Sequence, residues 1–153
     1  MGNNHFTGLI PKSVKICTSS TRLKLEGNQL NGIIAEGFGT YLNLKYIDLS
    51  YSQFVWRASY LINGDTTPVL TSLRFAKNHI SAKYHLTLGK HIYLSLNHLT
   101  GIIQVELGRL TSLNIHLLND NAVSASYSVA IQILAMQRLS LAGNDMEVQF
   151  PVN

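Results

Sequence analysis

Apolar and polar positions along this chain alternate in short bursts. In Leu23-Lys24-Leu25, Ile47-Asp48-Leu49 and Ile92-Tyr93-Leu94 two apolar residues flank a polar one. A period of two predicts a short strand with one buried face. An Asn follows the first and third bursts at Asn28 and Asn97, and Ser52 follows the second. One phrase then recurs: "NHFTGLIP" at 4–11, "NQLNGIIA" at 28–35 and "NHLTGIIQ" at 97–104. Fixed-period repetition decides the architecture, so the register comes before any single residue.

With the Asn as anchor, the copies stand at Asn4, Asn28, Asn78, Asn97, Asn121 and Asn144, and Ser52 fills the slot between Asn28 and Asn78. The spacings are 24, 24, 26, 19, 24 and 23 residues. Five residues before the anchor stand Leu23, Ile47, Leu73, Ile92, His116 and Leu139. Three before it stand Leu25, Leu49, Phe75, Leu94, Leu118 and Leu141. Two after it the side chains are apolar in every copy, from Phe6 to Met146. One such unit cannot bury its own apolar face, whereas stacked units can. The anchor Asn turns inward, where its amide must bond to backbone, and neighbouring copies can supply the partners. The Gly four residues later (Gly8, Gly32, Gly101) permits a tight bend or the close approach of the next coil. The rest of each unit returns along an outer arc, in places as a short helical segment such as 105–110.

These motifs resemble the plant-type leucine-rich repeat, whose unit reads LxxLxxLxLxxNxLxGxIPxxLGxLxxL. "NNHFTGLIPKSV", "TRLKLEGNQLNGII" and "NHLTGIIQVELGRLTSL" carry the match, and the register extends it over essentially the whole chain. More narrowly, the chain resembles part of the ectodomain of a plant leucine-rich-repeat receptor-like serine/threonine kinase. The resemblance implies an α/β repeat solenoid: a horseshoe arc of about six to seven repeats, with a parallel β-sheet on the concave side and short helical or irregular outer arcs. It also implies a module that binds a peptide or another leucine-rich-repeat receptor on the extracellular side of the plasma membrane, with catalysis left to a separate kinase domain.

The departures from that unit set further expectations. The Pro seven residues after the anchor survives only at Pro11 and Pro151. The Gly slot holds Trp56, Ala82, Ala125 and Val148 in four copies. His116 takes an apolar strand slot, where burial disfavours its charged form. "NGDTTP" at 63–68 reads as a turn-rich loop, and the copy ending at Asn97 is five residues short, which predicts irregular curvature there. Residues 1–153 read as one domain truncated at both ends, without the family's paired-cysteine caps, signal peptide, membrane helix or kinase. The competing reading is a degenerate repeat protein with no specific ligand, self-associating through uncapped ends.

Composition narrows the function. Hydrophobic residues make up 46% and charged ones 13%, too apolar for a disordered chain. The net charge is +4, but the 12 Lys and Arg are scattered, so nucleic acid is not an expected partner. The uncharged stretch 122–137 holds three Ser and two Gln and is shorter than a membrane span, so no membrane insertion is expected. Cys17 is the sole cysteine and reads as an apolar filler of the outer arc. No nucleophile–base or metalloprotease signature occurs, so no enzyme and no cofactor are expected. Of the six His, His5, His79 and His98 share one turn slot, but none has a Cys or carboxylate at ligand spacing, so no metal is expected.

The candidate binding residues are those facing outward from the strands, namely Arg22, Lys24, Glu26, Tyr46, Asp48, Tyr51, Arg74, Lys77, His91, Tyr93, Asn119 and Arg138, with Ile115, Leu117 and Asp120 beside them. Arg and Tyr in this proportion suit a protein or peptide interface, and a merely solvated sheet face is the competing reading. Arg22 and Lys24 put two cations on one face, able to clamp a carboxylate. Some peptide receptors of the resembled family hold a peptide C-terminus with Arg-x-Arg at this strand position. Lys24 replaces the second Arg and cannot fork.

Overall fold

The computed structural model describes residues 1–11, 14, 19–34, 43–56, 70–81, 90–103, 114–125 and 137–146. The alternating bursts form one six-stranded parallel sheet. Its strands are β2 (Arg22–Lys24), β4 (Tyr46–Asp48), β6 (Ser72–Arg74), β8 (His91–Tyr93), β10 (Ile115–Leu117) and β12 (Arg138–Ser140), in the order β12-β10-β8-β6-β4-β2. The register is continuous: Leu23 pairs with Ile47, Ile47 with Leu73, Leu73 with Ile92, Ile92 with His116 and His116 with Leu139. One slot of the sequence repeat therefore becomes one row of the interior.

A second set of strands follows the anchors. They are β1 (Thr7–Gly8), β3 (Gln29–Ile33), β5 (Gln53–Trp56), β7 (His79–Ile80), β9 (Thr100–Ile102) and β11 (Ala122–Ser124). They pair in parallel as β1-β3-β5-β7 and as β9-β11. The sequence reading placed only a turn or close approach here. The Gly slot instead lies within these strands, with φ of 82°, 97° and 97° at Gly8, Gly32 and Gly101. At Gly32 the close approach is real, because a Cβ would run into the Leu9 side chain.

The five-residue shortfall before Asn97 leaves the first sheet intact, since Ser72, Leu73 and Arg74 pair with His91, Ile92 and Tyr93. Its effect falls on the second sheet. β7 and β9 do not pair as strands, and His98 N–H to Ile80 O at 2.9 Å bridges the gap. The helical segment expected at 105–110, the loop at 63–68 and Cys17 lie outside the described residues. So does the Trp56 side chain, although its backbone pairs with Ile80 in the second sheet.

The core lies between the sheets and is built from the slots the sequence marked, with Ile47, Leu49, Phe75, Ile80, Leu99 and Leu118 fully buried. The anchors close it. Asn78 donates to Leu49 O (2.9 Å) in the preceding coil and to Phe75 O (3.0 Å) in its own, while its Oδ1 accepts from Phe54 N–H (3.0 Å). Asn28, Asn97, Asn121 and Asn144 repeat this arrangement. Asn4 differs: it is exposed, and among the described residues its amide donates only locally, to Met1 O and Gly2 O. Ser52 is too short to span coils as Asn does, and its Oγ reaches Asn28 O at 3.4 Å.

Candidate ligand-binding face

Period two sends the residues on either side of each buried slot outward. Six parallel strands in one register turn them into rows. The first row runs Arg22, Tyr46, Ser72, His91, Ile115, Arg138, and the second Lys24, Asp48, Arg74, Tyr93, Leu117, Ser140. Glu26 and Asn119 stand two residues before their anchors, beyond the strands. The next position, one before the anchor, has a positive φ in all seven copies: Asn3, Gly27, Tyr51, Lys77, Leu96, Asp120 and Gly143, between 55° and 65°. This left-handed residue turns the chain into the core and sets Tyr51 (56% exposed), Lys77 and Asp120 on the rim. Sequence reasoning missed this slot, although Gly27 and Gly143 in equivalent positions carried the signal.

The structure brings the N-terminal half of the predicted set together around aromatic rings. Arg22 Cζ lies 4.9 Å and Lys24 Nζ 5.9 Å from the Tyr46 ring centroid. Arg74 Cζ lies 5.6 Å from Tyr46 and 4.0 Å from Tyr93, and Lys77 Nζ 5.5 Å from Tyr51. These are cation–π distances. Arg22 and Lys24 therefore converge on one ring. Lys24 also pairs with Glu26 at 3.8 Å, a half-exposed contact of little energetic weight.

The Tyr46 hydroxyl donates to Asp48 Oδ2 at 3.0 Å, and Ser50 N–H donates to Asp48 Oδ1 at 3.1 Å. Burial first, then the bond to Asp48, pushes the Tyr46 hydroxyl above its ordinary range. The Glu26 carboxylate packs against Gly2, where a Cβ would overlap it.

The C-terminal half is different. Ile115 and Leu117 occupy the rows there, and Leu96 is exposed on the rim. Asn119 accepts from Ser95 Oγ and donates to Asp120 Oδ2, both at 2.6 Å. His91 is half-buried beside Ser72, and Arg138 stands exposed on the edge strand, away from the other cations. His79 and His98 stack with ring centroids 5.8 Å apart, without His5. Among the described residues no three His, Cys, Asp or Glu side chains group as a metal site.

No protein-family model and no curated protein matches the chain. Solved structures do. The leucine-rich-repeat ectodomain of the Arabidopsis receptor kinase HAESA, in complex with an N-terminally extended IDA peptide hormone, matches over 97% of this chain at 26% identity and a TM-score of 0.82. HAESA with IDA and the co-receptor SERK1 matches over 96% at 25% identity and 0.77. PEPR1 with AtPEP1 shares the fold over 95% of this chain at 22% identity and 0.77. This chain spans 25% of the length of the HAESA chains and 21% of the PEPR1 chain. The strand register, the buried Asn ladder and these likenesses agree: the chain is a leucine-rich-repeat solenoid that resembles the ectodomains of plant receptor kinases.

Proposed function

We propose that this chain is a non-catalytic binding module, part of a receptor ectodomain, that takes an extended peptide or another leucine-rich-repeat protein on its six-stranded face. One observation carries the reading: four cations and three tyrosines are gathered on one side of a rigid sheet, held by ring contacts of 4.0–5.9 Å. Arg and Tyr supply a large share of interface energy because each offers broad contact area and directional polar groups. The buried ladder beneath them fixes the strands, so the face is preorganised and association loses little side-chain entropy. HAESA and PEPR1, with which the fold is shared, were crystallised with IDA and AtPEP1. The likeness to receptor-kinase ectodomains supports an extracellular setting for the module, and no helix among the described residues is long and apolar enough to cross a membrane.

The test is charge reversal. Short acidic peptides with free carboxylates are titrated against the wild-type chain and against the double variant Arg22→Glu/Lys24→Glu. Binding to the wild type and at least tenfold weaker binding to the variant are expected. Equal affinity for both chains would remove Arg22 and Lys24 from the site.

A further inference from the structure

The guanidinium of Arg74 differs from the other cations of the first sheet. It stands between two aromatic rings, 4.0 Å from the centroid of Tyr93 and 5.6 Å from that of Tyr46. Its partner across the strands is Asp48, the carboxylate in register to neutralise it. Both oxygens of Asp48 are engaged elsewhere, one by the Tyr46 hydroxyl and one by Ser50 N–H. The other carboxylate of this region, Glu26, pairs with Lys24 and packs on Gly2. Among the described residues Arg74 makes no ion pair, and its Nε is buried without a hydrogen-bond partner. A charged donor left without an acceptor in a protein surface is unfavourable. The two cation–π contacts meanwhile hold the guanidinium beside the rings, and a guanidinium can take a carboxylate with two parallel hydrogen bonds.

The face around Arg74 is polarised. Arg22, Lys24, Arg74 and Lys77 stand over β2–β6, where Asp48 is held by Tyr46 and Ser50, and Glu26 meets Lys24 through Oε1 while its Oε2 is buried without a hydrogen-bond partner. Two strands further on, the outward positions are Ile115 and Leu117, with Leu96 exposed beside them. From β6 to β10 is two strand spacings, about 9.5 Å. An extended peptide covers that distance in about three residues.

We propose that the ligand is an extended peptide that seats a carboxylate on Arg74 between Tyr46 and Tyr93, and lays an apolar side chain about three residues away on Ile115 and Leu117. This rests on the reading of the six-stranded face as a peptide site and assigns its polarity: the acidic end over β6, the apolar end over β10. The carboxylate is an acidic side chain or the peptide's own C-terminus. Either offers two oxygens to the fork.

The probe is a positional library of N-acetylated decapeptides, synthesised both as C-terminal amides and as free acids, applied to the full chain. Retained peptides are expected to combine an acidic group with Leu, Ile or Phe about three positions away. Retention of the amides identifies a side chain as the source of the carboxylate. Retention of free acids alone identifies the chain end. Arg74→Gln should weaken these peptides at least tenfold, and Arg74→Lys, which keeps the charge but loses the fork, at least threefold. Gln53→Ala, exposed on β5 of the second sheet and outside the candidate face, should change binding less than twofold. Thermal midpoints equal to wild type show that each variant is folded.

Unchanged affinity of a folded Arg74→Gln chain overturns the assignment. So does a library that retains only neutral or basic peptides, and in that case the six-stranded face still stands as a peptide site. Retention of no peptide in either form overturns both readings.

Discussion

The coils anchored at Asn97 and Asn121 stack directly on one another with their strands in register, yet differ in what they bury. At one slot the first holds Ile92, 1% exposed, and the second His116, 0% exposed, paired across the strands. Both coils keep the anchor bonds: Asn97 to Phe75 O and Ile80 N–H, and Asn121 to Leu94 O and Leu99 N–H. An imidazole in an aliphatic row therefore leaves the register unmoved. In this fold the backbone ladders and the Asn set the geometry, and the apolar slots set how much stability follows from it. Burial lowers the His116 pKa from 6.5 to about 3, so the ring is neutral inside the core at neutral pH.

The largest loss of stability is expected at the anchor. Asn97→Ala removes the donors to two coils and the acceptor for Ile80 N–H, all buried. The expected loss is about 3 kcal/mol, because several buried backbone groups lose their partner together. Urea denaturation of wild type and variant measures it, and a loss below about 1 kcal/mol would remove the Asn from its structural role.

Acid is expected to act through the other coil. The unfolded chain protonates His116 near pH 6.5, while the folded chain resists down to about pH 3. The unfolded state thus binds more protons across that window, and stability falls as pH falls. Each pH unit below 6.5 is worth about 1.4 kcal/mol, so moving from pH 7.5 to pH 5 should cost about 2 kcal/mol. His116→Leu should remove this contribution. A variant whose acid dependence matches wild type would show that His116 does not govern it.

The smallest effect is a repair. Ser52→Asn places the longer amide where the other copies span coils, within reach of Leu25 O and Leu30 N–H, and should add about 1 kcal/mol. A higher urea midpoint with an unchanged slope is the expected reading.

Most of the fold was legible because one register repeats: the −5, −3 and +2 slots became buried rows, and the Asn became the ladder. The second sheet was not, because β7 and β9 are short, polar at alternate positions and interrupted by Gly101. The pairing within β1-β3-β5-β7 and within β9-β11 comes from stacking, which no single copy displays. The left-handed slot before each anchor was masked by Tyr51, Lys77 and Leu96, residues that seldom adopt a positive φ. Of the candidate face, the rows followed from the period of two. The grouping did not: Arg74 lies near Tyr46 only diagonally across strands, and Asp48 turns to Tyr46 although it is in register with Arg74.

The central claim is that the buried rows carry the fold and the outward rows carry the binding. The double variant Arg22→Glu/Lys24→Glu tests it most directly when thermal unfolding and acidic-peptide binding are read on the same sample. The expected midpoint lies within about 2 °C of wild type, since exposed charges contribute little stability, together with binding at least tenfold weaker. A lowered midpoint with binding retained would contradict it.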